Sequence, residues 1–213
     1  MINNSNSEDG ITISYQFKLI LLGDSGVGKS SLLHSYMKEG FQDNIPCTIN
    51  ADFKIKKLKI DPYTIVIITI WDTCGQEKYR AMTNLYFKDS NGIILLYDVI
   101  DKNSFYGINS WLNEIYKNIN EDEISIILVG NKIDLEQRSI SYEEGKAFAE
   151  KNNLLFCECS SKNGKNIDMV FNLIIKDIIN KKNFNDSKNI SPTDSVKANC
   201  PKKLKRKNKV GCC

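Results

Sequence analysis

The sequence predicts an α/β sandwich with a mostly parallel sheet, on three observations. Apolar runs of strand length recur along the chain, stretches of helical period separate them, and a glycine-punctuated loop follows the first run directly. That run, Phe17 to Leu22, is continuously apolar and ends at Gly23, as expected of a parallel strand buried on both faces. Ser31 to Lys38 then reads as helix. Lys54 to Ile60 and Thr64 to Trp71 are strand-like and joined by Asp61-Pro62-Tyr63, a short turn that predicts an antiparallel hairpin. Gly92 to Tyr97, Ile124 to Val129 and Leu154 to Cys159 supply three more strands.

Between these strands Phe105, Ile108, Leu112, Ile115 and Ile119 fall at steps of three and four, and so do Ile167, Val170, Ile174 and Ile178. Each set is the buried stripe of an amphipathic helix. Ser141 and Glu144 have the spacing of a capping box and open another helix. In such sheets ligands bind beyond the carboxyl ends of the strands, so the loops there are where chemistry is sought. The apolar period fades near Asn180, which marks the end of the domain.

Hydrophobic residues make up 41% and charged residues 26%, values of a folded globular chain. The formal net charge is +3, but Lys197, Lys202, Lys203, Lys205, Arg206, Lys207 and Lys209 carry +7, so +3 less +7 leaves −4 on residues 1 to 196. The basic charge belongs to the tail, which argues against a nucleic-acid-binding surface and for an anionic membrane as the tail's partner. A solvated tail or a nuclear address has the same composition. The 7 cysteines, Cys47, Cys74, Cys157, Cys159, Cys200, Cys212 and Cys213, show neither a disulfide framework nor a CxxC zinc spacing. Cys157 and Cys159 alternate on a strand and read as small buried hydrophobes. With no signal-peptide core and no apolar run of about 18 residues, the chain is expected in the reducing cytosol, anchored at most.

Gly23-Asp24-Ser25-Gly26-Val27-Gly28-Lys29-Ser30 matches GxxxxGK[ST] at every fixed position, between a strand and a helix. The chemistry needs that pattern. Glycines let backbone N–H groups wrap a phosphate chain, the helix N-terminus favours its charge, Lys29 reaches the terminal phosphates, and the Ser30 hydroxyl ligates Mg2+. This establishes a nucleotide phosphate site and leaves the base open. At the end of the next parallel strand, Asp72-Thr73-Cys74-Gly75 offers an aspartate that holds the metal through water and a glycine that follows the γ-phosphate, while Gln76 is placed to orient the attacking water. Asn131-Lys132-Ile133-Asp134 closes a later strand and Ser160-Ser161-Lys162 closes the last. An aspartate that accepts from N1–H and the 2-amino group selects guanine over adenine, which argues against an ATP-using enzyme.

This ordered set resembles the Ras superfamily of small GTPases, and from Tyr15 to Asn180 the chain is similar to the Rab family. The similarity is carried by Asn50-Ala51-Asp52-Phe53, Ile68-Thr69-Ile70-Trp71-Asp72, Lys78-Tyr79-Arg80-Ala81-Met82-Thr83, Tyr86-Phe87-Lys88-Asp89-Ser90 and Leu95-Leu96-Tyr97-Asp98-Val99. It implies a P-loop GTPase domain over residues 15–180 with a six-stranded sheet, a flexible N-terminus 1–14 and a flexible tail 181–213. It makes Thr48 a contact of Mg2+ and γ-phosphate and Phe41 a side chain packed on guanine. Ser31 completes the nucleotide-binding set. Gln76, Lys29 and Thr48 become the candidate catalytic residues, and Ser30, Thr48 and Asp72 the metal set. Phe53, Trp71 and Tyr86 are offered as an effector surface, with ordinary core packing as the other reading.

The resemblance further implies a monomeric GTP/GDP switch in vesicle trafficking that hydrolyses GTP slowly until an activating protein acts. Its partners would be an exchange factor, a GTPase-activating protein, a GDP-dissociation inhibitor, a prenylation escort and effectors. Gly211-Cys212-Cys213, with no CaaX box, would carry geranylgeranyl groups on Cys212 and Cys213 and place the protein on the cytoplasmic face of an intracellular membrane, with a cytosolic pool. Three positions depart from the family pattern: Asn50 for glycine, Cys74 for alanine and Ser161 for alanine. Asn50 and Cys74 motivate a second reading, a module that binds GTP with little hydrolysis.

Overall fold

The computed structural model describes residues 3–7, 10–40, 48, 52–73, 86–120 and 124–189. The strands are β1 (Asn3–Ser7), β2 (Gly10–Leu22), β3 (Asp52–Asp61), β4 (Thr64–Asp72), β5 (Gly92–Asp98), β6 (Ser125–Asn131) and β7 (Leu155–Glu158). The helices among the described residues are α1 (Lys29–Met37), α2 (Lys102–Asn118), α3 (Tyr142–Lys151) and α4 (Ile167–Asn189). The sheet runs β3-β4-β2-β5-β6-β7, and these are the six strands expected. Every neighbouring pair on that path is parallel except β3 with β4, the hairpin closed by Asp61-Pro62-Tyr63.

The N-terminal segment differs from expectation. Residues 1–14 were expected to lie outside the domain, yet β1 pairs antiparallel with Gly10–Ser14 of β2. Ile13 and Ser14 also pair with β4, so β1 lies along the other edge of β2, the edge that β5 takes from Leu19 onward. Polar residues hid this strand, because backbone pairing at a sheet edge needs no apolar period. At the other end α4 runs on to Asn189, past the Asn180 boundary, and the rest of the tail lies outside the described residues.

Alternation along the strands divides the core in two. Leu19 and Leu21 of β2, Ile68 and Ile70 of β4 and Ile127 and Val129 of β6 face α1 and α4, meeting Leu32, Leu33, Tyr36, Val170, Phe171 and Ile174. Ile20 and Leu22 of β2, Ile93, Leu95 and Tyr97 of β5 and Ile126 and Leu128 of β6 face the other way, onto Phe105, Ile108, Trp111, Leu112 and Ile115 of α2 and Ala149 of α3. The two helical stripes expected from sequence are thus the buried faces of α2 and α4, with Ile119 capping α2 half-buried. Burying strands on both faces accounts for their uninterrupted apolar runs. The capping box is formed: the Ser141 hydroxyl accepts from the Glu144 N–H at 3.1 Å, and the Glu144 carboxylate accepts from the Ser141 N–H at 2.8 Å. Cys157 and Cys159 are free and buried, as expected.

Candidate nucleotide-binding site

The carboxyl ends of β2, β4, β6 and β7 bring the sequence motifs to one rim of the sheet. After β2 the chain turns through Gly23 and Gly28, both at positive φ (134° and 96°). A Cβ on Gly23 would lie 2.3 Å from the Leu96 carbonyl oxygen, and one on Gly28 would lie 2.4 Å from the Asn131 amide nitrogen. Only glycine fits either place, which is the physical content of the GxxxxGK spacing. Gly28 caps α1 with no side chain on the helix N-terminus, the end that attracts anions. Lys29 is 6% exposed, and its ammonium donates to the carbonyls of Gly23 at 2.9 Å and Asp24 at 2.8 Å. These carbonyls wrap the cation over the loop, where phosphate oxygens can take it up.

Beside the loop, three oxygens from distant parts of the chain meet. The Ser30 hydroxyl donates to Asp72 Oδ2 at 2.5 Å and lies 3.0 Å from the Thr48 hydroxyl, which in turn donates to the same Asp72 oxygen at 3.3 Å. Asp72 is buried, and among the described residues its Oδ1 has no hydrogen-bond partner. Burial pushes its carboxyl up, against the opposing pull of the Ser30 hydrogen bond and the Lys29 charge. Two hydroxyls and a carboxylate, one oxygen of which is buried without a partner among the described residues, are hard donors that fit Mg2+, which prefers oxygen ligands and keeps waters of its own.

The base-selecting motif is built around Asn131, which is fully buried. Its amide donates to the Val27 carbonyl at 2.9 Å, and its oxygen accepts from the Ser161 N–H at 3.1 Å and the Ser161 hydroxyl at 3.1 Å. One side chain therefore ties the phosphate loop to the β6 and β7 ends. Ser161, where the family pattern has alanine, adds the hydroxyl bond to that clamp. The Ser160 hydroxyl donates to Asp134 Oδ1 at 2.5 Å, fixing the carboxylate that would read the base. Lys132 sits at φ 69° and pairs with Asp98 Oδ2 at 2.7 Å. Lys162, Ser31 and Ser25 lie on the same rim, following β7, inside α1 and within the loop.

Phe53, Trp71 and Tyr86 form a contiguous aromatic row. Ring centroids are 5.0 Å apart for Phe53 and Trp71 and 5.6 Å for Trp71 and Tyr86, and Phe53 is 48% exposed. The row is therefore at the surface, where core packing alone would have covered Phe53. Phe41, Asn50, Cys74, Gly75, Gln76, Cys212 and Cys213 lie outside the described residues. Sequence reasoning missed two contacts of the site, Asp98 with Lys132 and Trp111 with Asp24, because no local pattern around either residue says what it meets.

The profile of the Ras family matches residues 18–180. The chain is 42% identical over 183 residues to Ras-related protein RIC1 of Oryza sativa subsp. japonica, covering 85% of this chain and 90% of that protein. It is 44% identical over 158 residues to Ras-related protein RABD2a of Arabidopsis thaliana, covering 74% and 77%. With Ras-related protein Rab-17 of Mus musculus it shares 40% over 168 residues, 78% of each. A phosphate loop, a hydroxyl–carboxylate cluster and an asparagine clamp on one rim of a mostly parallel sheet, together with this similarity, make the chain a small GTPase of the Ras family, in its Rab branch.

Proposed function

We propose that the chain is a GTP/GDP switch of vesicle and membrane trafficking that hydrolyses GTP to GDP and phosphate. The observation that carries this is the convergence of Ser30, Thr48 and Asp72 beside the buried Lys29. In this reading residues 15–180 carry the catalytic and binding residues, and the residues beyond α4 are the tail. Lys29 leaves its carbonyl partners for phosphate oxygens, and the N–H groups at the start of α1 share their charge. Ser30 and Thr48 would hold Mg2+ directly and Asp72 through water. The ion supplies neutralisation of charge on the terminal phosphates.

Asp134, oriented by Ser160, accepts from N1–H and the 2-amino group of guanine, with Asn131, Lys132, Ser161 and Lys162 shaping the base site and Phe41 packing on the base. Gln76 orients a water that attacks the γ-phosphorus; the bond to the β-phosphate oxygen breaks, GDP leaves, and the water's protons pass to the phosphate released and to solvent. GTP holds Thr48 and the segment around Gly75 in the state that effectors read through Phe53, Trp71 and Tyr86. An activating protein speeds the step, an exchange factor renews GTP, and a dissociation inhibitor and prenylation escort handle the lipidated form.

Single-turnover hydrolysis tests the chemical step. The parental chain turns over [γ-32P]GTP slowly, and Gln76→Leu binds GTP but hydrolyses it at least ten-fold more slowly with an activating protein, about 1.4 kcal/mol in barrier. Equal rates would give Gln76 another role, and no turnover by either would make the protein a GTP-binding module.

The anchor is tested separately. No helix among the described residues is long and apolar enough to cross a membrane, and two prenyl chains with a basic stretch suffice for stable residence where one is marginal. Cys212→Ser with Cys213→Ser therefore moves the tagged protein wholly to the soluble fraction with nucleotide binding intact. A doubly substituted protein still on membranes would shift the tether to its effectors.

A further inference from the structure

Asp24 is the first variable residue of the phosphate loop, and a carboxylate there is at first sight misplaced, since it repels the anion the loop would hold. The structure shows what controls it. Asp24 Oδ1 accepts from the indole N–H of Trp111 at 2.9 Å, across 87 residues of sequence. Its other oxygen lies over Gly107, where a Cβ would come within 2.7 Å of it. Both partners stand on α2, which packs on the sheet face opposite to α1. The Asp24 side chain is thus drawn toward one face of the sheet while its backbone carbonyl accepts from Lys29, the first residue of α1, at 2.8 Å.

Trp111 is 1% exposed and set in the core between α2 and the strands, so the donor cannot follow the carboxylate if it swings away. Indole offers one hydrogen-bonding group, and here it is spent on a charged acceptor, the stronger kind of bond.

We propose that Trp111 is a positioning residue that, with Gly107 beneath, pins the Asp24 carboxylate on the α2 side of the phosphate loop and thereby sets how long nucleotide is retained. The proposal rests on the reading that this loop holds a guanine nucleotide. It makes α2 a lever on the site: whatever shifts Trp111 or fills the space at Gly107 frees a negative charge toward the phosphates and hastens release.

The test is release of mant-GDP from the full-length protein in Mg2+, beside thermal unfolding of the same samples. Trp111→Phe removes the donor and keeps a large apolar ring, and it speeds release by roughly ten-fold, the range expected for losing a hydrogen bond to a charged group. Gly107→Ala separates positioning from general stability. Alanine is favoured over glycine inside a helix, so a merely structural glycine gives an unchanged or higher melting temperature with the parental release rate. The pinning role gives faster release instead. In an Asp24→Ala background no carboxylate remains to be moved, and both substitutions change release less than two-fold.

Equal acceleration by Trp111→Phe with and without the Asp24 carboxylate would overturn the proposal, as would parental release from Gly107→Ala. Should Trp111→Phe not fold, the Gly107 and Asp24 pair decides alone. A parental protein that takes up no mant-GDP would overturn the nucleotide reading itself, and this proposal with it.

Discussion

Asp134→Asn turns the protein from a guanine binder into a xanthine binder. Asp134 already accepts from the Ser160 hydroxyl through Oδ1. Guanine offers N1–H and a 2-amino group to an acceptor-only carboxylate, and each hydrogen bond to a charged partner contributes about 1.5–3 kcal/mol. An asparagine keeps Ser160 on its amide oxygen and turns an N–H2 toward the base, where it meets the guanine amino group donor to donor. GTP affinity then falls by about 100-fold or more, roughly 2.7 kcal/mol. Xanthosine triphosphate carries a C2 oxygen in place of the amino group, so it accepts from the new amide and outcompetes GTP. Displacement of a fluorescent nucleotide by each triphosphate measures the exchange. Unchanged GTP affinity in the variant would remove Asp134 from the base site.

Ser30→Asn and Asp72→Asn separate the metal from the rest of the nucleotide site. Both partners touch in the structure, with Thr48 closing the triangle. Groups that merely support metal ligands contribute about 10–100-fold in metal affinity, so losing a member of this set costs at least that much. Nucleotide affinity measured in Mg2+ should fall by about 100-fold, while affinity in EDTA changes little, and Ser30→Asn should favour GDP over GTP. Burial already disfavours the charged form of Asp72, so a neutral amide in its place leaves the metal-free melting temperature level or higher. Equal loss of affinity with and without Mg2+ would mean that the triangle is structural.

Much of this architecture was legible because spacing is itself the constraint. The steps of three and four in α2 and α4 survive as buried stripes, and Gly23 and Gly28 are glycines because backbone or amide atoms fill the space a Cβ would need. Legibility ends where a contact joins residues that share no local pattern. Trp111 sits three residues after Ile108 and four before Ile115 on the buried face of α2, and nothing near it in sequence announces Asp24. Lys132 reads as part of a base motif, yet its partner Asp98 ends a different strand. β1 and the far end of α4 were missed for another reason: backbone hydrogen bonds extend a strand or helix through Asn, Ser and Lys without needing an apolar period.

The strand that ends the sheet also makes the sulfur atoms at its carboxyl end unreactive. Burial pushes the Cys157 thiol up to about 11 and the Cys159 thiol higher still. At neutral pH the fraction of Cys157 present as thiolate is then only about one in ten thousand, and thiolate is the form that attacks electrophiles. Alkylating and oxidising reagents therefore pass over β7. Cys157 within β7 and Cys159 just after it serve as packing atoms and not as nucleophiles.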